Sequence, residues 1–387
     1  MRTGLPTLFA ISCGSGLLGA FAQSEYFMGE PNIAICVEGP SGRISTRTLE
    51  SIRDRVLKPI GGDHFAITPY PKDFTMTEVD KRNEVYNLLQ THLDANGYLS
   101  TLLSRDRTPE EVTEWFWELV NASTPDLHLR EFWEAFTGDI LFSTILSNGE
   151  KHAIGFFNYI GKKSCYEMIS EAEYRRGAKY HRIIYTRNDI HWLADHPPLD
   201  KMDEKYLWIP EGQDHGGLND RHAIIPRHYF EQYLNRFDRL FDGQAVSWLR
   251  GSGWNLTCTD TFYRGARSCA KAVNPERYLL LNTRAMPSRR ILDDGSEDQM
   301  PIEVARFLPT GAISCCDGGQ QCRWTGCTGK WLYGIEYHAK YNLEFIDSYQ
   351  HAWMLNTKTH DWYLTERQGP GSRVVIGSCW NPDSTPA

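Results

Sequence analysis

Two short apolar runs on either side of a helical pattern constrain the fold most. NIAICVEG (32–39) ends at Gly39 and runs into PSGR, as a buried strand does when it enters a loop. TRTLESIRDRVLKPIG then sets Leu49, Ile52 and Leu57 near helical spacing and stops at Gly61 and Gly62. HFAITPY (64–70) is a second apolar run. Strand, helix and strand in so short a stretch make a βαβ unit, whose strands lie parallel with the helix across one face. The expected class is therefore α/β, a central, mostly parallel sheet flanked by helices.

Later segments continue the pattern. RTPEEVTEWFWELV opens with Thr108 as N-cap, Pro109 at the first helical position and Glu111 to complete a capping box. IGKKSCYEMISEAEYRRGA (160–178) places Cys165, Met168, Ile169 and Ala172 on one face and ends at Gly177. NPERYLLL (274–281) starts on Asn274 and Pro275, another helix entry, and VARFLPTGAISC (304–315) returns to strand. There is no internal repeat and no low-complexity linker. One domain over 30–310 with a cysteine-rich extension, 311–387, packed on it is the simplest organisation.

RIIYTRNDIHW (182–192) begins as a buried strand, with Ile183, Ile184 and Tyr185, and then meets Arg187, Asn188 and Asp189. Open parallel sheets collect ligands at the carboxyl ends of their strands, the edge this cluster shares with the loop after Gly39. An aspartate there suits a divalent cation, and the planar fork of an arginine suits phosphate. The plainer alternative is a strand-end salt bridge of Arg187 with Asp189 or Asp195. GQDHGGLNDRH (212–222) adds two adjacent glycines, which let backbone approach a ligand closely, amid Asp214, His215, Asn219, Asp220, Arg221 and His222. Asp220 is a candidate general base, and His215 and His222 are alternatives for that role or for holding metal.

A net charge of −8 argues against a general nucleic-acid surface, so no nucleic-acid partner is expected. Residues 1–22 carry Arg2, an apolar segment and small residues at Ala20 and Ala22, the pattern of a secretory signal peptide or, alternatively, an N-terminal membrane anchor. Seven of the ten cysteines, from Cys258 to Cys379, crowd the last third, as in a disulfide-stapled secreted chain. Asn121 and Asn255 open glycosylation sequons.

NIAICVEGPSGRISTRTLESIRDRVLKPIG, DHFAITPY, CYEMISEAEYRRGAKYHRIIYTRNDIHW, WIPEGQDHGGLNDRHAI and, more faintly, NPERYLLL resemble segments of a group of eukaryotic and viral glycosyltransferase-like proteins. That group has the GT-A type, Rossmann-like nucleotide-sugar fold. The likeness rests on an Arg-x-Asp motif followed by Gly-Gly-x-Asn-Asp-Arg, in patches between residues 32 and 310. It implies a glycosyltransferase using a nucleotide-sugar donor and a glycan or glycoprotein acceptor, in the Golgi or ER lumen or secreted. It implies donor contacts from Gly39, Arg43, Thr68, Arg187, Asp189, Gly216, Gly217, Asn219 and Arg221, with Asp189 and Asp220 as catalytic residues. Asp189 takes the place of the last acid of an Asp-x-Asp motif, whose first acid is here Arg187. A divalent cation (Mn or Mg) would need a second ligand such as Asp214 or His351, or else Arg187 supplies part of that charge. Two other classes stay open: a secreted glycoside hydrolase using Asp189, Asp214 and Asp220, and a non-catalytic carbohydrate-binding protein. Trp324, Trp331 and Tyr337 either cover the acceptor side or belong to a disulfide-pinned cap.

Overall fold

β1 (Ile33–Glu38) lies inside a nine-stranded sheet and pairs in parallel with two strands distant in sequence, β2 (Asp63–Tyr70) on one side and β4 (Arg182–Arg187) on the other. With β3 (Leu99–Leu103), β5 (Leu207–Pro210), β6 (His222–Pro226), β7 (Val304–Phe307), β8 (Leu364–Glu366) and β9 (Val374–Ile376), the order across the sheet is β3-β2-β1-β4-β6-β5-β7-β8-β9. β6 and β8 run against the other seven strands, so the sheet is mostly parallel. This computed structural model describes residues 32–39, 44–70, 87–93, 99–103, 114, 117–119, 121–122, 144–145, 151–152, 156–215, 217–241, 260–263, 266–269, 275–285, 288–291, 297–300, 302–309, 311–313, 330–332, 335–337, 342–354, 364–366 and 374–376. Residues 1–22, Arg43, Thr108, Gly216, Asn255, Trp324 and all the C-terminal cysteines except Cys269 lie outside them.

The expected βαβ unit is present. α1 (Thr46–Ile52) continues through a π-helical turn, Arg53–Leu57, into Lys58–Ile60. Its start is a capping box, in which Ser45 Oγ accepts from Thr48 N–H at 3.1 Å and Thr48 Oγ1 accepts from Ser45 N–H at 3.2 Å. Its exit needs Gly62, at φ 103°, because a Cβ there would stand 2.5 Å from the Ile33 carbonyl oxygen. α2 (Phe156–Arg176) ends before Gly177 at φ 68°, the left-handed stop its sequence announced. α3 (Phe230–Leu234), α4 (Arg236–Phe241), α5 (Pro275–Ala285) and α6 (Asn342–Met354) follow. No helix among the described residues is long and apolar enough to cross a membrane.

Strand alternation divides the core into two layers. Ile35 and Val37 of β1 pack with Leu49, Ile52, Val56, Trp208 and Phe307 on the α1 side. Ala34 and Cys36 pack with Phe65, Cys165, Ile169, Tyr185 and Ile225 on the α2 side. A buried disulfide, Cys36–Cys165, fastens β1 to α2 with its Cα atoms 6.0 Å apart. Cys165 thus sits on the apolar stripe read from the sequence and bonds across it. The stretch beyond 310 also feeds the main body: Gly311–Ile313 pairs with Ile190–Trp192, and β8 and β9 extend the sheet.

Candidate functional site at the carboxyl ends of β1 and β4

The chain leaves β1 toward one edge, β2 and then β3, and later returns through α2 to place β4 on β1's opposite side. This reversal puts the switch point of the sheet at the carboxyl ends of β1 and β4, the place where open α/β sheets bind ligands. Glu38 and Arg187 are register partners at the tips of the two strands. Beyond them Asn188 clasps both: its N–H donates to the Glu38 carbonyl and its Nδ2 to the Gly39 carbonyl, each at 2.8 Å. Gly39 sits at φ 156°, and a Cβ on it would lie 2.3 Å from Asn188 Oδ1, so this close approach admits only glycine.

Arg187 N–H donates to the Arg221 carbonyl at 3.1 Å, which joins the β4 tip to the segment Asn219-Asp220-Arg221 leading into β6. The structure thereby brings Gly39, Arg187, Asp189, Asn219, Asp220 and Arg221 to one edge, with Gly217 in the same loop. Thr68 is in β2, and only its backbone is described. His351 lies on α6, its Nδ1 3.1 Å from the Pro309 carbonyl beyond the end of β7.

Arg187 grips Asp189 with two parallel bonds, Nε to Oδ1 at 2.9 Å and Nη2 to Oδ2 at 2.7 Å. This is the strand-end salt bridge weighed from the sequence; Asp195 pairs instead with Arg55 at 2.8 Å. Burial works against the charge on Arg187, and Asp189 more than offsets it, so the guanidinium is held firmly protonated. Both oxygens of Asp189 are occupied, and its side chain is fully buried. Of the proposed co-ligands, Asp214 accepts from Arg306 at 2.7 Å. No group of three or more His, Cys, Asp or Glu among the described residues could hold a metal ion. As arranged, these residues do not fit a divalent cation.

The loop from Gly212 to Arg221 is braced from within. Asp214 Oδ1 accepts from Asn219 N–H at 3.0 Å, Asn219 Nδ2 donates to the Gly212 carbonyl at 2.9 Å, and Asn219 Oδ1 accepts from Arg221 N–H at 3.1 Å. Gln213 and His215 adopt left-handed backbone, at φ 54° and 43°, a strain of about 1 kcal/mol each that surrounding bonds must hold. Arg221 reaches Glu344 of α6 at 2.6 Å. His222, read from the sequence as a candidate base or ligand, instead turns into the core against Trp192, His196 and Phe307.

Beneath the edge, on the α2 side, lies a layer of buried charge that the sequence reading did not single out. Lys162 of α2 meets Asp220 with Nζ 3.2 Å from Oδ2, both side chains buried. Burial pushes the Asp220 carboxyl up, but Lys162, Arg236 and Arg187 together outweigh it and keep it below the usual carboxylate range. Glu38 receives the Tyr185 hydroxyl, and burial raises its carboxyl despite Lys162 and Tyr185. Gly161 makes room for it, since a Cβ there would stand 2.3 Å from Glu38 Oε1. Glu276, at the start of α5, is also raised, by burial and by Asp220. Its backbone carbonyl accepts from Leu218 N–H at 2.9 Å, which ties α5 to the loop. A signal for Lys162 existed: positions 162, 165, 169 and 172 share one helical stripe, and a lysine heads an otherwise apolar face.

The model of a domain of unknown function (DUF7796) matches residues 134–241, the stretch that holds Lys162, Arg187, Asp189, Asp220 and Arg236. No curated protein matches the chain in sequence. Among solved structures the chain is similar to mouse xyloside xylosyltransferase 1 in its apo form, at 7% identity and TM-score 0.31, over 66% of this chain and 81% of that one. It is also similar to an active-site mutant of LgtC, at 14% identity and TM-score 0.28, over 56% of this chain and 64% of that one. A third is the glycosyltransferase GlyE of Streptococcus pneumoniae TIGR4, at 10% identity and TM-score 0.25, over 62% of this chain and 42% of that one.

Proposed function

We propose that the chain is a glycosyltransferase that moves a sugar from a nucleotide-sugar donor to a glycan or glycoprotein acceptor. One observation carries this reading: Gly39, Arg187 and the Asn219-Asp220-Arg221 segment meet at the carboxyl ends of β1 and β4, where the strand order reverses. A nucleotide lies beside the Gly39 turn, whose backbone Asn188 holds in place. Transfer develops positive charge on the sugar and negative charge on the departing diphosphate. Arg187 and Arg221, each already bonded to a carboxylate, are the guanidinium groups offered to the diphosphate, with Arg187 in the place a metal would otherwise take. Asp220, kept ionised by Lys162 and Arg236, stabilises the developing charge on the sugar. A carboxylate held that far down is a weak proton acceptor, so the acceptor hydroxyl is better served by Glu276, whose raised affinity for a proton suits a general base. The buried Cys36–Cys165 bond supports an oxidising, secretory compartment.

Thermal denaturation with a panel of nucleoside diphosphates tests the reading, because a ligand bound only by the folded chain raises its melting temperature. At least one should do so, and Arg187→Met should remove the rise. If none does, the transferase reading fails. The opposed shifts of Asp220 and Glu276 favour a second reading, a glycoside hydrolase with Glu276 as acid and Asp220 as the charged partner. Glycoside cleavage without any nucleotide would select it.

A further inference from the structure

Arg236, at the start of α4, is 1% exposed, and none of its three side-chain nitrogens has a hydrogen-bond partner among the described residues. Its guanidinium stands 4.9 Å from the centre of the Tyr233 ring, and its backbone carbonyl accepts from the Tyr278 hydroxyl at 3.1 Å. Tyr278 in turn packs edge-on against Tyr159, with ring centroids 5.8 Å apart. The hydroxyls of Tyr159 and Tyr233 are buried and likewise without partners. Both tyrosines feel the Arg236 charge, and Tyr159 lies one turn before Lys162 on α2. Five guanidinium N–H groups and two hydroxyls thus lie in one buried region with no acceptor among the described residues.

The charges around it are engaged elsewhere. Arg187 is matched by Asp189, and Lys162 by Asp220. Glu38 and Glu276, the remaining acids nearby, are both pushed toward their neutral forms. Arg236 itself has no carboxylate bonded to it among the described residues. Leaving such a cation and its donors unsatisfied is among the costlier arrangements a fold can hold.

We propose that Arg236, Tyr159 and Tyr233 form a buried binding site for an oxyanion, a phosphoryl or carboxylate group with several acceptor oxygens. The planar fork of Arg236 takes two oxygens side by side, and the two phenols donate to what remains. The site adjoins Asp220, on which Arg236 acts, and does not depend on the transferase reading. Phosphate and a uronic acid share the required chemistry and differ in source, one from a nucleotide or free phosphate, the other from an acidic sugar.

The test is thermal denaturation of the full chain in inorganic phosphate, inorganic diphosphate or glucuronate, against chloride at equal ionic strength, for wild type and Arg236→Met. Subtracting the variant's response removes the general stabilising effect of excluded salts. At least one anion should give a saturable rise of roughly 5 °C in wild type that Arg236→Met lacks. Tyr159→Phe should weaken the rise without abolishing it. A response to phosphate or diphosphate alone assigns a phosphoryl group, and one to glucuronate alone a carboxylate. Without any anion, Arg236→Met should melt no lower than wild type, since it removes a buried charge to which no described carboxylate is bonded. Equal responses in the two proteins, no response in either, or a variant that melts well below wild type would each overturn the site.

Discussion

Lys162 and Asp220 come from elements far apart in sequence, and they meet at 3.2 Å with both side chains out of water. Asp220 is the hub of the layer, since Arg236 and Arg187 also act on it. Breaking a buried ion pair at one end strands the other charge and costs about 3–5 kcal/mol. Asp220→Asn strands Lys162 and removes a charge favourable to Arg236 and Arg187, whereas Lys162→Met leaves a carboxylate that still has both of them. Urea denaturation should therefore find Asp220→Asn the more destabilised. The double variant should be less destabilised than the sum of the singles, by at least about 1 kcal/mol. Strictly additive losses would mean the pair is not coupled.

The closed Arg187–Asp189 pair bears on metal dependence. Because Arg187 holds both Asp189 oxygens, nucleoside diphosphate binding should be insensitive to EDTA and to added Mn or Mg, within about twofold by calorimetry. A tenfold loss on chelation would show that the pair opens to admit a cation, and would restore the role that position suggests in the sequence.

What the sequence disclosed was local, and what it concealed was pairing at a distance. NIAICVEG, the 160–178 stripe and NPERYLLL each became the element expected, because apolar period and a terminal glycine or proline act within one segment. Nothing in HAIIP says that it slips between β4 and β5, or that strands near residues 365 and 375 finish the sheet. The edge residues were legible because charges follow an apolar run without a buried partner in sight. Lys162, Glu38 and Arg236 were not, since each sits at a core position of its own element and its partners arrive from elsewhere. The disulfide is not legible for the same reason: Cys36 and Cys165 belong to separate elements 129 positions apart, and most cysteines lie in the last third.

That disulfide should matter to stability. A cross-link closing a loop this long removes unfolded-state entropy worth about 5 kcal/mol. Cys36→Ala with Cys165→Ala should lower the unfolding free energy by about that much in guanidinium titrations. Both sulfurs are buried, so mild reductant should leave the native chain intact and act only once denaturant opens it. Thiol labelling that is complete on the untreated, denatured chain would refute the bond.

The last expectation concerns acid. His196 Nδ1 lies 2.7 Å from the Pro197 carbonyl, which can only accept, so that nitrogen carries the proton. His196 Nε2 is then the acceptor for His222 Nε2–H at 3.1 Å, and each ring is neutral. Burial holds His196 down to about 4, and burial with the neighbouring ring holds His222 well below its ordinary value. In the unfolded chain both take up protons near pH 6.5. Between about pH 6.5 and 4 the unfolded state therefore binds more protons, and stability is full above 6.5 and falls as pH drops through that window. For His196 alone the loss is about 3 kcal/mol. Glu38 and Glu276, whose carboxyls are raised, act in the opposite sense, adding stability at low pH that is lost as pH rises. The comparison that isolates the histidines is the slope of unfolding free energy between pH 7 and 5 in wild type and in His222→Leu. The variant has one titrating ring fewer, so its slope should be clearly shallower. Equal slopes would mean that acid acts on this fold through other groups.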